Sequence, residues 1–249
     1  MNYLVGDIGN TFIKLSILSS SLKIKKIYNL ETKKIFNKKF EINFLKNFNR
    51  KILDKRVIFS SVVPKAFKII KKNLQIKKFK VIEIKETNIR KIIKINIKNY
   101  NQLGSDRISN AIGSLNFKNS IVIDFGTATT FDIIKNSVYE GGVISPGINL
   151  SILNLKKSTA LLPLLKLKNS QKNYGKNTKE ALNAGFIWGY EGLINNIIKK
   201  ISLKSNNSYQ IILTGGYAKL FKRHIHERKV FIDQNITIKG IAKILKELL

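Results

Sequence analysis

Ile121-Val122-Ile123-Asp124-Phe125-Gly126-Thr127-Ala128-Thr129-Thr130-Phe131 is the stretch that decides how this chain is read. Three apolar residues signal a strand, Asp124–Thr130 carries a turn, and Phe131–Ile134 resumes the strand. The same grammar stands near the start. Tyr3–Val5 is a short strand signal, Gly6-Asp7-Ile8-Gly9-Asn10-Thr11 a turn, and Phe12–Leu18 alternates apolar and polar like a second strand. Each copy reads strand, Asp-x-Gly-x-x, threonine, strand. An internal repeat of this kind implies two related halves. The polar stretch Asn116–Ser120 marks their boundary, giving halves 1–117 and 118–249.

Outward from the two turns, strands alternate with helices. Lys55–Ser61 and Phe79–Ile84 read as strands, with a Lys-rich amphipathic helix, Lys65–Leu74, between them. Ser105–Leu115 is predicted to be a helix with Ser105 as its N-cap. Thr178–Ile201 is a long helical pattern broken by Gly185, Gly189 and Gly192. Tyr209–Leu213 is a strand ending in Thr214-Gly215-Gly216, and Ile238–Leu249 closes the chain as a helix. Lys156–Gly175 is expected to be loosely organised. The alternation predicts an α/β protein.

Composition removes several function classes. In 249 residues, 43% hydrophobic and 9% aromatic, there is no cysteine, so thiol nucleophiles, thiolate zinc sites and disulfide frameworks are excluded. Apolar runs are short and lysine-broken, far from the roughly 20 residues of a membrane span. The opening Met-Asn-Tyr-Leu-Val-Gly-Asp has no secretory pattern, so a soluble cytoplasmic protein is expected. The net charge of +31 would ordinarily suggest a polyanion partner. Yet only six of the 46 basic residues are arginine, and the lysines spread along the whole chain rather than clustering. Together with abundant isoleucine and asparagine, that pattern is compositional drift, and no specific nucleic-acid partner is expected. His224 and His226, among basic neighbours, are expected to be exposed, and Trp188 to be core or interface. Against such drift the six aspartates become informative: Asp7, Asp106 and Asp124 all lie in glycine-bearing segments.

A strand–turn–strand bearing Asp-x-Gly-x-Thr suits phosphate. Glycine lets backbone N–H groups approach the oxygens, the hydroxyl adds a donor, and the aspartate holds a cation or its water. Gly215-Gly216 at a strand end can lie flat beneath a base or ribose. Two such turns and a glycine pair are similar to the actin, hexokinase and Hsp70 superfamily, in which ATP lies in a cleft between two ribonuclease-H-like halves. Gly104-Ser105-Asp106-Arg107 sets a carboxylate beside a guanidinium at a helix start. The carboxylate suits the proton of an attacking alcohol, and arginine suits an anionic group or developing charge.

The chain resembles the type III pantothenate kinases along nearly its whole length. The matching segments include Asp7-Ile8-Gly9-Asn10-Thr11, Ser61-Val62-Val63-Pro64, Gly104-Ser105-Asp106-Arg107, Asp124–Thr130 and Gly141–Gly147. Ala160-Leu161-Leu162-Pro163, Gly175-Lys176-Asn177-Thr178, Gly185 and Thr214-Gly215-Gly216 continue the series. The resemblance implies phosphorylation of pantothenate to 4′-phosphopantothenate by ATP, opening coenzyme A synthesis. It assigns Asp7, Ile8, Gly9, Asn10, Thr11, Phe12, Ile13 and Lys14, with Thr127, to ATP. Asp124 becomes the ligand of a monovalent cation, potassium or ammonium, with a divalent ion, magnesium, accompanying ATP. Gly104, Ser105, Asp106 and Arg107 form the pantothenate site, with Asp106 as proton acceptor and Thr178 and Tyr100 as further contacts. A homodimer with active sites near the subunit interface is implied as well. In one respect the chain departs from the family: Lys98–Leu103 lacks the proline that usually precedes the Gly-x-Asp-Arg string, and Tyr100 stands closer to Gly104. The competing readings are another small-alcohol or carboxylate kinase of the superfamily, and a basic regulatory protein that keeps the fold. Retention of both Asp106 and Asp124 favours the kinase.

Overall fold

The computed structural model describes residues 1–37, 48, 53–168, 173–205 and 207–249. The first sheet is built from β1 (Asn2–Ile8), β2 (Phe12–Leu18), β3 (Ile24–Glu31), β4 (Leu53–Ser61) and β5 (Lys80–Glu83), in the order β3-β2-β1-β4-β5. β1 pairs antiparallel with β2, whereas β4 and β5 join in parallel, which requires the crossover helix α1 (Pro64–Ile76) between them. Ala66, Ile70 and Leu74 of α1 are buried at helical spacing, and Pro64 starts the helix where its missing N–H costs nothing.

The second sheet repeats this plan. β7 (Ser120–Phe125), β8 (Ala128–Lys135), β9 (Val138–Pro146), β10 (Gln210–Gly215) and β11 (Val230–Ile232) lie in the order β11-β10-β7-β8-β9. Again the first two strands are antiparallel and the last two join in parallel. The repeat read from the two turns is therefore a repeat of topology. Each central strand carries a buried apolar run, Leu4-Val5 in β1, Val57–Phe59 in β4, Ile121–Ile123 in β7 and Ile211–Leu213 in β10, as strands covered on both faces need.

Contacts group the chain into two compact units. One comprises Met1–Asn116, Ser137–Glu140 and Asn235–Leu249, and the other Phe117–Asn136 and Gly141–Gln234. In the first unit, Val138 and Tyr139 pair in parallel with the short strand β6 (Lys94–Ile95). The return of the chain at Asn235 has a consequence for the site. Helix α2 (Ser105–Gly113) is crossed by the closing helix, here named α6 (Ile236–Lys246). A Cβ on Gly240 would run into the Ser109 carbonyl, and one on Gly113 into that of Ile236, so two glycines permit backbone-to-backbone approach. Thr237 donates to Asn110 at 2.7 Å, and Lys243 Nζ reaches the Ile112 carbonyl at 3.2 Å and Asn116 at 2.9 Å. A lysine on the final carbonyls of α2 complements its dipole.

The second unit has its own core, in which Ile121, Ile123 and Phe131 of the sheet meet Ile148 and Ile152 of α3 (Ile148–Lys157). Ile187, Ile194 and Ile198 of α4 (Thr178–Ser205) and Phe221 of the short α5 (Ala218–Phe221) complete it. Residues 159–168 are better held than their composition suggests. Leu165 and Leu167 pack on this core, and Lys168 N–H donates to Asn183 at 2.8 Å. Residues 169–172 lie outside the described residues.

Candidate active site

Asp106 stands in the first turn of α2, whose N-cap is Gly104. Ser105 was expected to cap this helix, but it is already helical, and its hydroxyl donates to Glu83 at 2.6 Å. Glycine at the cap has a reason: a Cβ there would meet Asp106 Oδ1. That carboxylate folds back over the cap and accepts the Arg107 N–H at 2.8 Å. Burial pushes the Asp106 carboxyl above its ordinary value, while the Arg107 N–H and the charges of Arg107 and Lys85 pull it back.

Glu83, at the end of β5, is the residue that sequence reasoning missed. Besides the Ser105 hydroxyl, it accepts the Lys85 N–H at 2.7 Å. Burial raises its pKa against hydrogen bonds from Ser105 and from the N–H groups of Lys85 and Ser61. Lys85 Nζ donates to the Asn101 carbonyl at 3.1 Å and lies 6.0 Å from the Tyr100 ring, where Arg90 also approaches at 6.0 Å. Burial and the Glu83 charge raise the Tyr100 phenol. Glu83, Lys85, Tyr100, Ser105 and Asp106 thus form one neighbourhood. The signal for Glu83 was only a carboxylate closing a strand, and its partners lie up to 22 residues away.

The first turn is tighter than its motif suggested. β1 runs through Asp7 to Ile8, so Asp7 is a strand residue, in register with Lys14 on β2 and Ser60 on β4. Gly9 N–H closes the turn on the Phe12 carbonyl at 2.9 Å. Thr32 braces it by donating its hydroxyl to the Gly9 carbonyl at 2.6 Å and its N–H to that of Thr11 at 2.9 Å. Asn10, Thr11 and Phe12 are exposed, whereas Ile8 and Ile13 are core side chains that have only backbone to offer a ligand.

In the second turn Asp124 also belongs to its strand, opposite Thr130 on β8 and Thr214 on β10. Gly126 and Thr127 alone make the turn, closed by Gly126 N–H on the Ala128 carbonyl at 3.1 Å. Gly215, at φ +82°, passes beside the Asp124 carboxylate, and a Cβ there would lie 2.6 Å from both Asp124 Oδ1 and the Phe125 carbonyl. Gly147 leaves similar room beside the Thr127 carbonyl. Thr178 opens α4 and is exposed. Asn177 caps that start by accepting the Glu180 N–H at 3.0 Å, and Glu180 accepts the Lys176 N–H at 3.0 Å, a reciprocal cap.

The expectation for His224 needs correction, and that for Trp188, core or interface, narrows. His224 is half-buried rather than exposed, because its Nδ1 meets Glu191 of α4 at 2.7 Å and its ring lies against Phe221. Trp188 is 44% exposed, which excludes a core role. Among the described residues no cluster of three or more His, Asp or Glu side chains could hold a metal ion.

Comparison with known proteins identifies the family. The family model for type III pantothenate kinase matches residues 3–200. The type III pantothenate kinase of Pelagibacter ubique is 44% identical over 243 residues, covering 96% of this chain and 97% of that protein. That of Sulfurihydrogenibium is 36% identical, covering 94% and 96%. Among solved structures, a Campylobacter jejuni chain described as a Baf family transcriptional activator superposes with a TM-score of 0.64 at 21% identity, covering 98% of each chain. The activator of 2-hydroxyisocaproyl-CoA dehydratase from Clostridium difficile gives 0.59 at 12% identity, covering 100% of this chain and 98% of that one. Such distant likenesses speak for the two-lobed α/β fold alone. The family match is a different matter, for it runs through both Asp-x-Gly turns and through Gly104–Arg107, and the chain belongs to the type III pantothenate kinase family.

Proposed function

We propose that this chain transfers the γ-phosphoryl group of ATP to the hydroxyl of pantothenate, giving 4′-phosphopantothenate, with Asp106 accepting the hydroxyl proton. The observation that carries the assignment is the Asp106 carboxylate, held over a glycine cap beside Arg107, with its pKa raised by burial. A raised pKa brings a general base closer to the working pH and strengthens its pull on the alcohol proton. Arg107 and Lys85 supply positive charge for the anionic alcohol, and Ser105 and Tyr100 line the same neighbourhood. The backbone of Gly9–Thr11, with Asp7 and Lys14, serves one part of ATP, and Thr127 serves another. Thr178 is assigned to substrate as a free hydroxyl at a capped helix start.

ATP comes with a divalent cation in this chemistry, and a monovalent cation is assigned to Asp124. Its carboxylate stands at a strand end where the backbone of Gly215 passes close by, and hard cations favour carboxylate oxygen donors. When bound, that ion offsets phosphate charge. A homodimer is supported by the apolar side chains that the second unit exposes, among them Ile144, Leu150, Leu153, Leu161 and Trp188. Cytoplasmic residence is proposed with it, and no helix among the described residues is long and apolar enough to cross a membrane. The dispersed lysines support no sequence-specific nucleic-acid binding.

Asp106→Asn tests the reading. With ATP binding retained, kcat should fall by about 10²–10⁴-fold, and parental turnover in the folded variant would remove Asp106 from its role. The same variant has a stability signature. A carboxyl whose pKa is raised by folding contributes fully below its unfolded value, and that contribution is lost as pH climbs through the folded value. Asparagine stays neutral, so Asp106→Asn should melt above the parent at pH 7, the gain shrinking towards about pH 4.

A further inference from the structure

We infer that Glu83 is a positioning residue for phosphoryl transfer, holding the start of α2 against the ends of β4 and β5 so that Asp106 keeps its place. The inference rests on Asp106 as proton acceptor. Three chain segments converge on this one side chain. Oε1 accepts the Ser105 hydroxyl at 2.6 Å, and Ser105 is the neighbour of Asp106 in the first turn of α2. Oε2 accepts the Lys85 N–H at 2.7 Å, in the segment that sends Lys85 Nζ to the Asn101 carbonyl. The Ser61 N–H faces the same carboxylate and favours its charged form, and Ser61 is in register with Ile8, the residue after Asp7. The strand end that carries the first Asp-x-Gly turn is thereby tied to the helix that carries Asp106.

Two features argue against a purely structural role. Gly104 leaves the cap of α2 without a side-chain hydrogen bond, and the Ser105 hydroxyl goes to a distant strand instead of its own helix. Burial also disfavours the charged form of Glu83, so the carboxylate stands there against a desolvation cost. What the carboxylate provides is several acceptor sites at fixed angles, which hold the Ser105 and Lys85 donors together. A loss of that grip would displace Asp106 by a fraction of an ångström, and displacement from outside the reacting centre is enough to slow a phosphoryl transfer.

The experiment is steady-state kinetics on the full chain for Glu83→Ala, Glu83→Gln and Ser105→Ala, with ATP and pantothenate varied separately and melting followed alongside. Glu83→Ala should lower kcat by about 10²-fold while leaving KM for ATP at the parental value. Glu83→Gln, which keeps an acceptor for Ser105, should recover most of that loss. Ser105→Ala cuts the same bond from the other side and should lose kcat in the same direction, which keeps the test open should Glu83→Ala fail to fold. Parental kcat in Glu83→Ala, or in Ser105→Ala if the former does not fold, would overturn the inference. So would a loss that falls on KM for ATP as heavily as on kcat and tracks a lowered melting temperature. Asp106→Asn measured in the same series separates the two claims. If it keeps parental turnover, the proton-acceptor assignment fails; if it is slow while Glu83→Ala is not, only the positioning role fails.

Discussion

The two Asp-x-Gly turns do the same thing in the sheet and are held in different ways. In each unit an aspartate sits near the end of the central strand, opposite a hydroxyl residue on the parallel neighbour: Asp7 with Ser60, Asp124 with Thr214. In each, the next segment returns an N–H to the strand end, Val62 to the Ile8 carbonyl at 3.0 Å and Gly216 to that of Phe125 at 3.1 Å. Their supports diverge. The first turn leans on a side chain, the Thr32 hydroxyl, whereas the second is pressed by the backbones of Gly147 and Gly215. A repeated topology therefore fixes where the aspartates stand, and the support is free to drift. A hydroxyl brace is a small hydrogen-bond energy; a glycine contact is a steric condition that other residues violate outright.

The largest expected effect tests that last contrast. Gly215→Ala would place a Cβ on the Asp124 carboxylate and the Phe125 carbonyl at a positive φ. Strain and overpacking together should cost about 2–4 kcal/mol by chemical denaturation. Ser61→Ala at the matching position of the first unit gives up an acceptor for the Val63 N–H and should cost no more than about 1.5 kcal/mol. Equal losses at the two positions would break the comparison.

An intermediate effect separates the aspartates themselves. If Asp124 holds the monovalent cation and Asp7 does not, replacing potassium by sodium at constant ionic strength should sharply lower the rate. Asp124→Asn should then abolish the difference between the salts. Equal rates of the parent in both salts would count against the assignment.

The smallest effect concerns the brace. Thr32→Val keeps the shape and removes the donor to the Gly9 carbonyl, a change of about 1 kcal/mol. KM for ATP should rise a few-fold at most, with KM for pantothenate unchanged. A larger loss would mean that the first turn depends on its brace as strictly as the second depends on its glycines.

Much of this was legible beforehand because local chemistry carries it. Strands β2 and β4, helix α1 and the start of α4 fall within two residues of their sequence signals, since periodicity and turn residues act over short range. The turns are shorter than their motifs suggest. Asp7 and Asp124 are strand residues because ladder hydrogen bonds on both sides override the preference of aspartate for turns. Ser105 looked like a cap, as serine before an amphipathic run does, until a carboxylate on another strand took its hydroxyl. His224 looked like surface among basic neighbours, and Glu191 on α4 drew it in.

By itself the sequence determined the α/β class and the internal repeat and singled out Asp7, Asp106 and Asp124 as candidates, for each depends on residue type and spacing within a short window. Tertiary structure decided the rest. Only folding brings Glu83 to Ser105, lays the closing helix α6 across α2, and sets Gly215 against Asp124, because those contacts join residues that no local pattern relates. The physical reason is packing: side-chain preference acts through neighbours in the chain, while hydrogen-bond partners and close backbone approaches are chosen by whichever segments the buried core draws together.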